Sequence, residues 1–201
     1  MSIESIEQLR NLYAAPKERA IRKQLTHLDV YCRRFISLSP FLVLASSDAD
    51  GRTDASPRGG DPGFVKVPND STLLIPDAPG NNRLDSLENI VTTSQVGLLF
   101  VIPGVDETLR ANGIAILSDA ERDNDLCANE RRRPKLVIRV SVREAYLHCA
   151  KALMRARLWS TDSRIDRARL PTLGQMINDQ TGIDAPVETQ EEMVRRYRRD
   201  L

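Results

Sequence analysis

VGLLFVIPGVDETLRANGIAIL, residues Val96–Leu117, consists of two apolar runs joined by a Pro-Gly turn signal. Both runs are short and rich in Val, Ile, Leu and Phe, which suits β-strands. Pro and Gly interrupt such runs and mark the turn between them. A connection this short joins antiparallel strands, because parallel strands need a crossover of about a dozen residues or more, usually a helix. The stretch therefore predicts two antiparallel strands.

Four more runs of the same kind lie between residues 40 and 147, separated by turn signals such as DADG and PND. They are FLVLASS, GFVKV, STLLIP and KLVIRVSVREAYL. One helical pattern interrupts them, starting near Asn82 and running to about Thr93. Six strands with mostly short connections and one inserted helix predict a mainly β fold, an antiparallel six-stranded barrel.

Helical patterns flank the barrel, so we predict a single α+β domain over residues 1–201. Its parts are N-terminal helices in 1–39, barrel strands with one inserted helix in 40–147, and C-terminal helices in 148–201. In the first part, Pro16 suits the first position of a second helix, which carries an apolar stripe. The stripe comprises Ile21, Leu25, Leu28, Cys32 and Phe35.

The charge balance is close to neutral, with 29 Lys and Arg against 28 Asp and Glu. A nucleic-acid surface normally needs a strong excess of positive charge on one face, so we expect no nucleic-acid partner. The strongest basic run, ERRRPK at Glu130–Lys135, is either a solvated loop or a small nucleic-acid contact. The neutral total favours the loop.

The three cysteines are far apart in the chain and include no C-x-x-C pair. This usage predicts reduced thiols in a cytoplasmic protein, with neither a disulfide framework nor a zinc site. The N-terminal stretch MSIESIEQLRNL carries acidic residues and lacks the apolar region of a signal peptide. No apolar run reaches the length of about 18 residues that a membrane span requires, so we expect no membrane association.

The stretch PDAPGNNRLDSLENI, Pro76–Ile90, places a polar turn directly before the inserted helix. A helix N-terminus offers unpaired N–H groups and a partial positive charge, which together attract anions. Arg83 adds a bidentate donor for phosphate oxygens, and Asn82 and Ser86 add neutral donors. The stretch predicts either a phosphate seat or only a helix cap with a solvated turn. It lacks the P-loop spacing.

A second candidate is DASPRGGDPGFVKV, Asp54–Val67, in which glycines surround a polar strand end. Ser56 and Arg58 alternate, so they share one face while Pro57 points to the other. A polar pair beside exposed backbone is able to hydrogen-bond the edge of a ring system. The alternative is a hairpin whose glycines serve only its turns.

Two more polar stretches are candidates. Arg110 and Asn112 alternate in TLRANGIAIL and would project from one face of a strand. The alternative is that this is an ordinary polar outer face with no binding role. In HCAKALMRARLW, Lys151 and Arg155 lie one helical turn apart and Trp159 follows on the same side, a pattern also typical of a solvated face. No metal site and no catalytic residue can be identified from these patterns.

Taken in this order, the four stretches resemble the FMN-binding split-barrel proteins of the pyridoxamine 5'-phosphate oxidase-like class. The matching phrases are SPRGGDPGFV, LLIPDAPGNNRLDSLENI, VGLLFVIPGVDETLRANGIAIL and HCAKALMRARLW. They are similar to a subgroup expected to consist of FMN-dependent enzymes. The resemblance implies a six-stranded split barrel that forms a homodimer, with FMN bound at the subunit interface.

The resemblance also implies roles for the candidate residues. Ser56, Pro57 and Arg58 would lie along the isoalloxazine ring, and Asn82, Arg83 and Ser86 would hold the phosphate. The partner chain would add further contacts from one of two groups. These are Arg110 or Asn112, and the stripe of Lys151, Arg155 and Trp159. The oxidase itself has a more basic phosphate pocket and a C-terminal substrate segment without a counterpart here, so its substrate is not carried over.

The leading hypothesis is therefore an FMN-dependent oxidoreductase that acts on an unidentified small molecule, with a nicotinamide cofactor or oxygen as the redox partner. The alternatives are a non-catalytic flavin-binding protein, which serves as a sensor or a store, and a split-barrel protein that uses a deazaflavin or haem. Arg near a flavin would stabilise the anionic reduced ring, which is consistent with the first reading.

Overall fold

The computed structural model describes residues 2–199, and its centre is a single antiparallel sheet. The strands are β1 (Phe41–Ser47), β2 (Thr53–Gly59), β3 (Lys66–Asn69), β4 (Thr72–Pro76), β5 (Gln95–Val101), β6 (Thr108–Ser118) and β7 (Val137–His148). Their order across the sheet is β2-β1-β5-β6-β7-β4-β3, and every neighbouring pair is antiparallel. The predicted mainly β, antiparallel class is confirmed.

The number of strands and the closed barrel were predicted wrongly. The sheet has seven strands, and β2 and β3 are its two edges, with no pairing between them among residues 2–199. The additional strand is β2, whose sequence TDASPRG is polar and contains Pro57. An edge strand tolerates proline because one row of its N–H groups has no ladder partner. The apolar pattern used for the prediction therefore could not detect it.

The described part of the chain contains eight α-helices. They are α1 (Ile6–Arg10), α2 (Glu18–Arg22), α3 (Val30–Leu38), α4 (Asp85–Thr93), α5 (Glu121–Cys127), α6 (Lys151–Ala156), α7 (Leu173–Thr181) and α8 (Gln190–Tyr197). Two helices interrupt the strands rather than one, because α5 follows β6. Its sequence ERDNDLC has too few apolar residues to show a helical period.

The predicted continuous second helix is also two helices, α2 and α3. Between them, Leu25 extends along β7 and exchanges two backbone hydrogen bonds with Ala145, at 2.9 and 2.8 Å. The chain therefore leaves the helical conformation where it meets the sheet. Asp29 then caps α3 by accepting a hydrogen bond from the Cys32 N–H at 2.8 Å.

The core lies between one face of the sheet and helices α3 and α4. Phe100 and Leu44 are fully buried on the sheet. Ile36 on α3 and Ile90 on α4 are only 1% exposed. Burying a side chain of this size contributes about 1.5–3 kcal/mol. The packing fixes α4 across β1, β2, β5 and β6, and this places the start of α4 beside the edge strand β2.

A β-bulge interrupts the pairing of β6 with β7. Asn112 pairs with Glu144, but the next residue, Gly113, pairs with Val142, so Arg143 is an extra residue on β7. A Cβ atom at Gly113 would lie 2.1 Å from the Ser141 carbonyl oxygen, so only glycine fits at this position. The bulge brings Arg143 and Glu144, two consecutive residues, to the side of the sheet away from the core.

The chain divides into two compact units, Met1–Arg155 and Ala156–Leu201. The first unit holds the sheet, and the second holds α7 and α8, with no fully buried residue in its described part. A capping box between Thr189 and Glu192 starts α8. The single domain over 1–201 stays a prediction. In residues 2–199 no helix is long and apolar enough to cross a membrane.

Candidate functional site

The polar side chains of β2 lie on the core-facing side of the sheet. Ser56 pairs with Leu44 and Arg58 with Leu42, and both leucines are fully buried. Pro57 lies on the opposite, exposed side. At this edge the core face is therefore polar, and the loop after β4 and the start of α4 run beside it.

Arg58 is fixed by Asp77, the first residue after β4. Arg58 Nη1 donates to Asp77 Oδ1 at 3.1 Å, and the two side chains are 16% and 24% exposed. Arg132 Nη2 donates to the Asp77 carbonyl oxygen at 3.1 Å, which ties down the backbone. Arg58 Nε is buried without a hydrogen-bond partner. Because an unpaired buried donor is costly, this N–H is available to an acceptor on a ligand.

The inserted helix begins later than predicted. It starts at Asp85 rather than near Asn82, because Asn82 and Leu84 adopt left-handed backbone conformations with φ of 60° and 61°. Such conformations are uncommon for residues other than glycine and are absent from helix interiors. Leu84 is the N-cap residue, and no side chain caps the first turn. The predicted polar turn is thus a segment with two left-handed residues, and the helix that follows it has no side-chain cap.

Arg83 and Ser86 lie at this helix start, and each already contacts a carboxylate. Arg83 Nε and Nη2 donate to Asp85 at 2.9 and 3.3 Å, and the Arg83 side chain is 73% exposed. Ser86 is buried, and its hydroxyl donates to Asp54 Oδ2 at 2.5 Å. The hydrogen bond from Arg83 lowers the pKa of Asp85. The structure therefore places Arg83 and Ser86 at the same helix start, each already donating to a carboxylate.

Arg110 and Asn112 lie on the opposite face of the sheet. They pair with Leu99 and Gly97, whereas the core face carries their neighbours Leu98 and Ala111. Within one chain they therefore cannot join Arg58, Arg83 and Ser86 around one ligand. Sequence alternation predicted the shared face of each pair but could not show that the two pairs lie on different faces.

A hydrogen-bonded cluster surrounds these two residues. Arg110 Nη1 donates to the Tyr146 hydroxyl at 3.1 Å, and its guanidinium lies 5.7 Å from the centre of the ring. Asn112 Nδ2 donates to Glu144 Oε1 at 2.6 Å, and Gln24 Nε2 donates to the other carboxylate oxygen. Sequence reasoning missed Glu144 and Tyr146, because their partners lie more than 30 residues away.

The predicted stripe on the last barrel-side helix is shorter than expected. Helix α6 has six residues and ends at Ala156, and Arg157 follows with a left-handed φ of 47°. Lys151 and Arg155 are exposed on it, with Arg155 Nε donating to the Lys151 carbonyl oxygen at 3.2 Å. Trp159 follows the helix end and belongs to the second compact unit, so the three residues do not form one helical stripe.

The basic run ERRRPK is anchored within its own chain. Besides the contact of Arg132 with Asp77, Arg133 Nε donates to Asp125 Oδ1 at 2.8 Å. Pro134 is buried. These contacts use two of the three arginines to hold the loop against α5 and the end of β4, which supports the loop interpretation.

The described residues contain no candidate metal cluster, and two of the three thiols are buried. Over residues 2–199, no group of three or more His, Cys, Asp or Glu side chains is placed to hold a metal ion. Burial raises the pKa of Cys32 to about 12 and that of Cys127 to about 11, so both remain thiols near neutral pH. Cys149 is exposed.

The family model described as pyridoxamine 5'-phosphate oxidase matches residues 28–149. The chain belongs to this family. The matched residues include α3, the whole sheet, α4 and α5, and therefore every candidate residue except Lys151, Arg155 and Trp159. The resemblance inferred from the sequence is confirmed. No curated protein matches the sequence.

Several solved structures are similar to this chain at low sequence identity. A HupZ variant from Group A Streptococcus superposes with a TM-score of 0.50 and 16% identity, covering 60% of this chain and 99% of that one. An FAD binding protein from Mycobacterium smegmatis gives a TM-score of 0.44 and 16% identity, with 62% and 97% covered. An FMN-binding protein from Syntrophomonas wolfei gives 0.43 and 10%, with 72% and 97% covered.

Proposed function

We propose that this protein binds FMN and uses it as an oxidoreductase on a small molecule, as a cytoplasmic homodimer. The observation that carries the proposal is the family match over residues 28–149, which includes both the polar face of β2 and the uncapped start of α4. FMN needs one site for its phosphate and one surface for its ring. The start of α4 is the candidate phosphate site, and the polar face of β2 is the candidate ring surface.

The phosphate seat is the start of α4. Its first-turn N–H groups have no side-chain cap, and the helix dipole favours an anion there. Arg83 is exposed and would turn from Asp85 to the phosphate, for which its guanidinium offers two parallel donors. The Asn82 side chain and the Ser86 hydroxyl add neutral donors. Because Asp54 and Asp85 now occupy the donors, a phosphate competes with carboxylates rather than with water alone.

The ring surface is the end of β2. Ser56 supplies a hydroxyl and Arg58 supplies the unpartnered Nε, both on the side of the strand that faces the loop before α4. When bound, FMN supplies the redox chemistry, and the protein supplies binding and electrostatics. Arg58 is held in place by Asp77, so its positive charge would favour negative charge on a nearby ring.

The two faces of the sheet support the proposed homodimer. Arg110 and Asn112 lie on the face away from the α4 seat, so they contribute to a flavin site only if it is that of a second copy. The same face exposes apolar side chains, including Phe41 at 37% and Ile116 at 55%. An interface across this face would cover them.

The first test is an absorption spectrum of the purified protein, with mass identification of whatever denaturation releases. A flavin spectrum and released FMN are expected, and a colourless protein that fails to take up added FMN would refute the cofactor assignment. Stopped-flow reduction by NADH or NADPH, followed by reoxidation with oxygen, separates an enzyme from a flavin store. Light scattering gives the mass of the assembly.

The phosphate seat is tested by Arg83→Ala, which should weaken FMN binding about tenfold or more because a charged donor is lost. Arg52→Ala is the matched control, since Arg52 is also exposed and paired with nearby aspartates. Equal FMN affinity in the two variants would exclude Arg83 from the seat.

A further inference from the structure

An open groove of about 510 Å³ lies on the sheet face opposite the α4 seat, across β1, β2, β5, β6 and β7. Its floor is low because Ala45 and Gly97 carry little or no side chain there. Asn112, Arg143 and Glu144 form one wall, and Thr53 forms part of the other. The groove is open to solvent, with small residues in its floor and polar groups among its lining residues.

The bulge on β7 builds the polar wall. In a regular strand, two consecutive residues such as Arg143 and Glu144 would point to opposite faces of the sheet. With it, buried Val142 and Ala145 flank two consecutive residues that both line the groove. Bulges often occur beside binding sites, where they redirect a side chain. The cost is a glycine at position 113, where no other residue fits.

The two charged side chains of this wall differ in their hydrogen bonding: Glu144 has partners within the chain and Arg143 has none among residues 2–199. Glu144 accepts hydrogen bonds from the Asn112 and Gln24 amides, which orient the carboxylate without neutralising it. Gly97 makes this possible, because a Cβ atom there would lie 3.2 Å from Asn112 Oδ1. The Arg143 guanidinium is exposed and makes no hydrogen bond or ion pair with any residue in 2–199. The wall thus offers an oriented acceptor beside an unused cationic donor.

We propose that this groove binds a flat heterocycle with an imide-type edge, in which an N–H group stands next to a carbonyl oxygen. The N–H donates to Glu144, and Arg143 donates to the carbonyl oxygen. Ala45 and Gly97 lie under the ring. The ligand has two sources: a flavin whose phosphate is held by the second copy, which rests on the proposed function, and a separate substrate with the same imide-type edge.

The probe is lumiflavin, a flavin ring without ribityl phosphate, and its binding is followed by fluorescence quenching. The wild-type protein should bind it, and Ala45→Leu, which fills the groove from an exposed position, should weaken binding about tenfold or more. 3-Methyllumiflavin lacks the imide N–H and should bind the wild type about tenfold more weakly than lumiflavin. This comparison needs no variant, so a folding defect cannot explain it.

Glu144→Leu, which removes the side-chain acceptor, separates ligand binding from a purely structural role of the cluster. If Glu144 accepts the imide N–H, the variant should lose the preference for lumiflavin over its 3-methyl form. If Glu144 only holds Gln24 against β7, the preference is unchanged and the proposal is refuted. Failure of the wild type to bind lumiflavin, or equal binding by Ala45→Leu, also refutes it.

A titration with FMN distinguishes the two sources of the ring. If Ala45→Leu weakens FMN binding together with lumiflavin, the groove holds the ring of the flavin cofactor. If FMN binding is unchanged while lumiflavin binding is lost, the groove belongs to a separate substrate. Arg83→Ala should leave lumiflavin binding intact, so a failed phosphate seat and a failed groove give different results.

Discussion

The hydroxyl of Ser86 donates a 2.5 Å hydrogen bond to the carboxylate of Asp54, which joins the first turn of α4 to the edge strand β2. This contact and the ion pair of Arg83 with Asp85 give the candidate phosphate seat an unusual character. The Ser86 hydroxyl and two of the three guanidinium nitrogens of Arg83 donate to carboxylates of the same chain. An incoming phosphate therefore replaces existing anionic partners, and its affinity depends on how firmly they hold.

Replacing Asp85 with Asn should raise FMN affinity about two- to threefold, because an exposed ion pair competes only weakly for Arg83. Asp50→Asn is the control, since Asp50 pairs with the exposed Arg52. Fluorescence titration measures both. Weaker FMN binding in Asp85→Asn would mean that Asp85 supports the seat rather than competing for it.

The same competition should not vary with pH near neutrality. The hydrogen bond from Arg83 lowers the pKa of Asp85 from its ordinary value of 3.8. A depressed pKa keeps the ion pair intact above that value and breaks it only as the pH falls through the lowered pKa. The ratio of the FMN affinities of the wild type and Asp85→Asn should therefore be constant between about pH 5 and 8. A ratio that changes across this range would show that a group other than Asp85, such as the FMN phosphate with its second pKa of about 6, controls the competition.

Ser86→Ala should destabilise the fold by about 1.5–3 kcal/mol, the usual range for a hydrogen bond to a charged group. The Asp54 carboxylate would lose the donor that links β2 to α4. Ser37→Ala is the matched control, because Ser37 is exposed and its hydroxyl bonds only within its own helix. Urea denaturation gives both free energies of unfolding. Equal values would show that Asp54 finds another donor at no cost.

Arg58→Met should cost about 1–3 kcal/mol, because it leaves the mostly buried Asp77 carboxylate without its cation. Asp77→Asn should cost less, since the amide oxygen still accepts from Arg58. Chemical denaturation with Arg52→Ala as the surface control compares the three. If Asp77→Asn proves the more costly change, the carboxylate has a second role in the loop.

Gly113→Ala should destabilise the protein by about 3 kcal/mol, since the new methyl group would meet the Ser141 carbonyl at the bulge. Gly80→Ala is the control, because nothing lies within 4 Å of a Cβ atom there. Unfolding curves of the two variants provide the measurement. A fully stable Gly113→Ala would mean that β7 relaxes without losing its pairing with β6.

The apolar strands and the antiparallel class were predictable because alternation and short turns are local properties of the sequence. Strand β2 was not, since its stability comes from pairing with β1 and its own residues are polar. The start of α4 was placed too early because the left-handed conformations of Asn82 and Leu84 have no local apolar signal. The helix predicted through Leu25 failed because its backbone hydrogen bonds go to Ala145.

The candidate site was predictable only in part for the same reason. The residue types at Arg58, Arg83 and Ser86 pointed to an anion and a ring. Their partners Asp77 and Asp54 lie on other elements, 19 and 32 residues away in the chain. Pairings over such separations depend on tertiary structure. The opposite orientation of Arg110 and Asn112 likewise requires the strand order, which the sequence pattern does not contain.

The bulge on β7 also determines how this strand responds to the loss of a residue. Up to Val142 the alternation has one phase, with Val140 and Val142 inward, and after Arg143 the phase is reversed, with Ala145 inward. Removing Arg143 would therefore restore regular alternation, with Ala145 still inward and Glu144 and Tyr146 still on the outer face. The sheet does not depend on the extra residue, and what that residue adds is a second charge on the outer face.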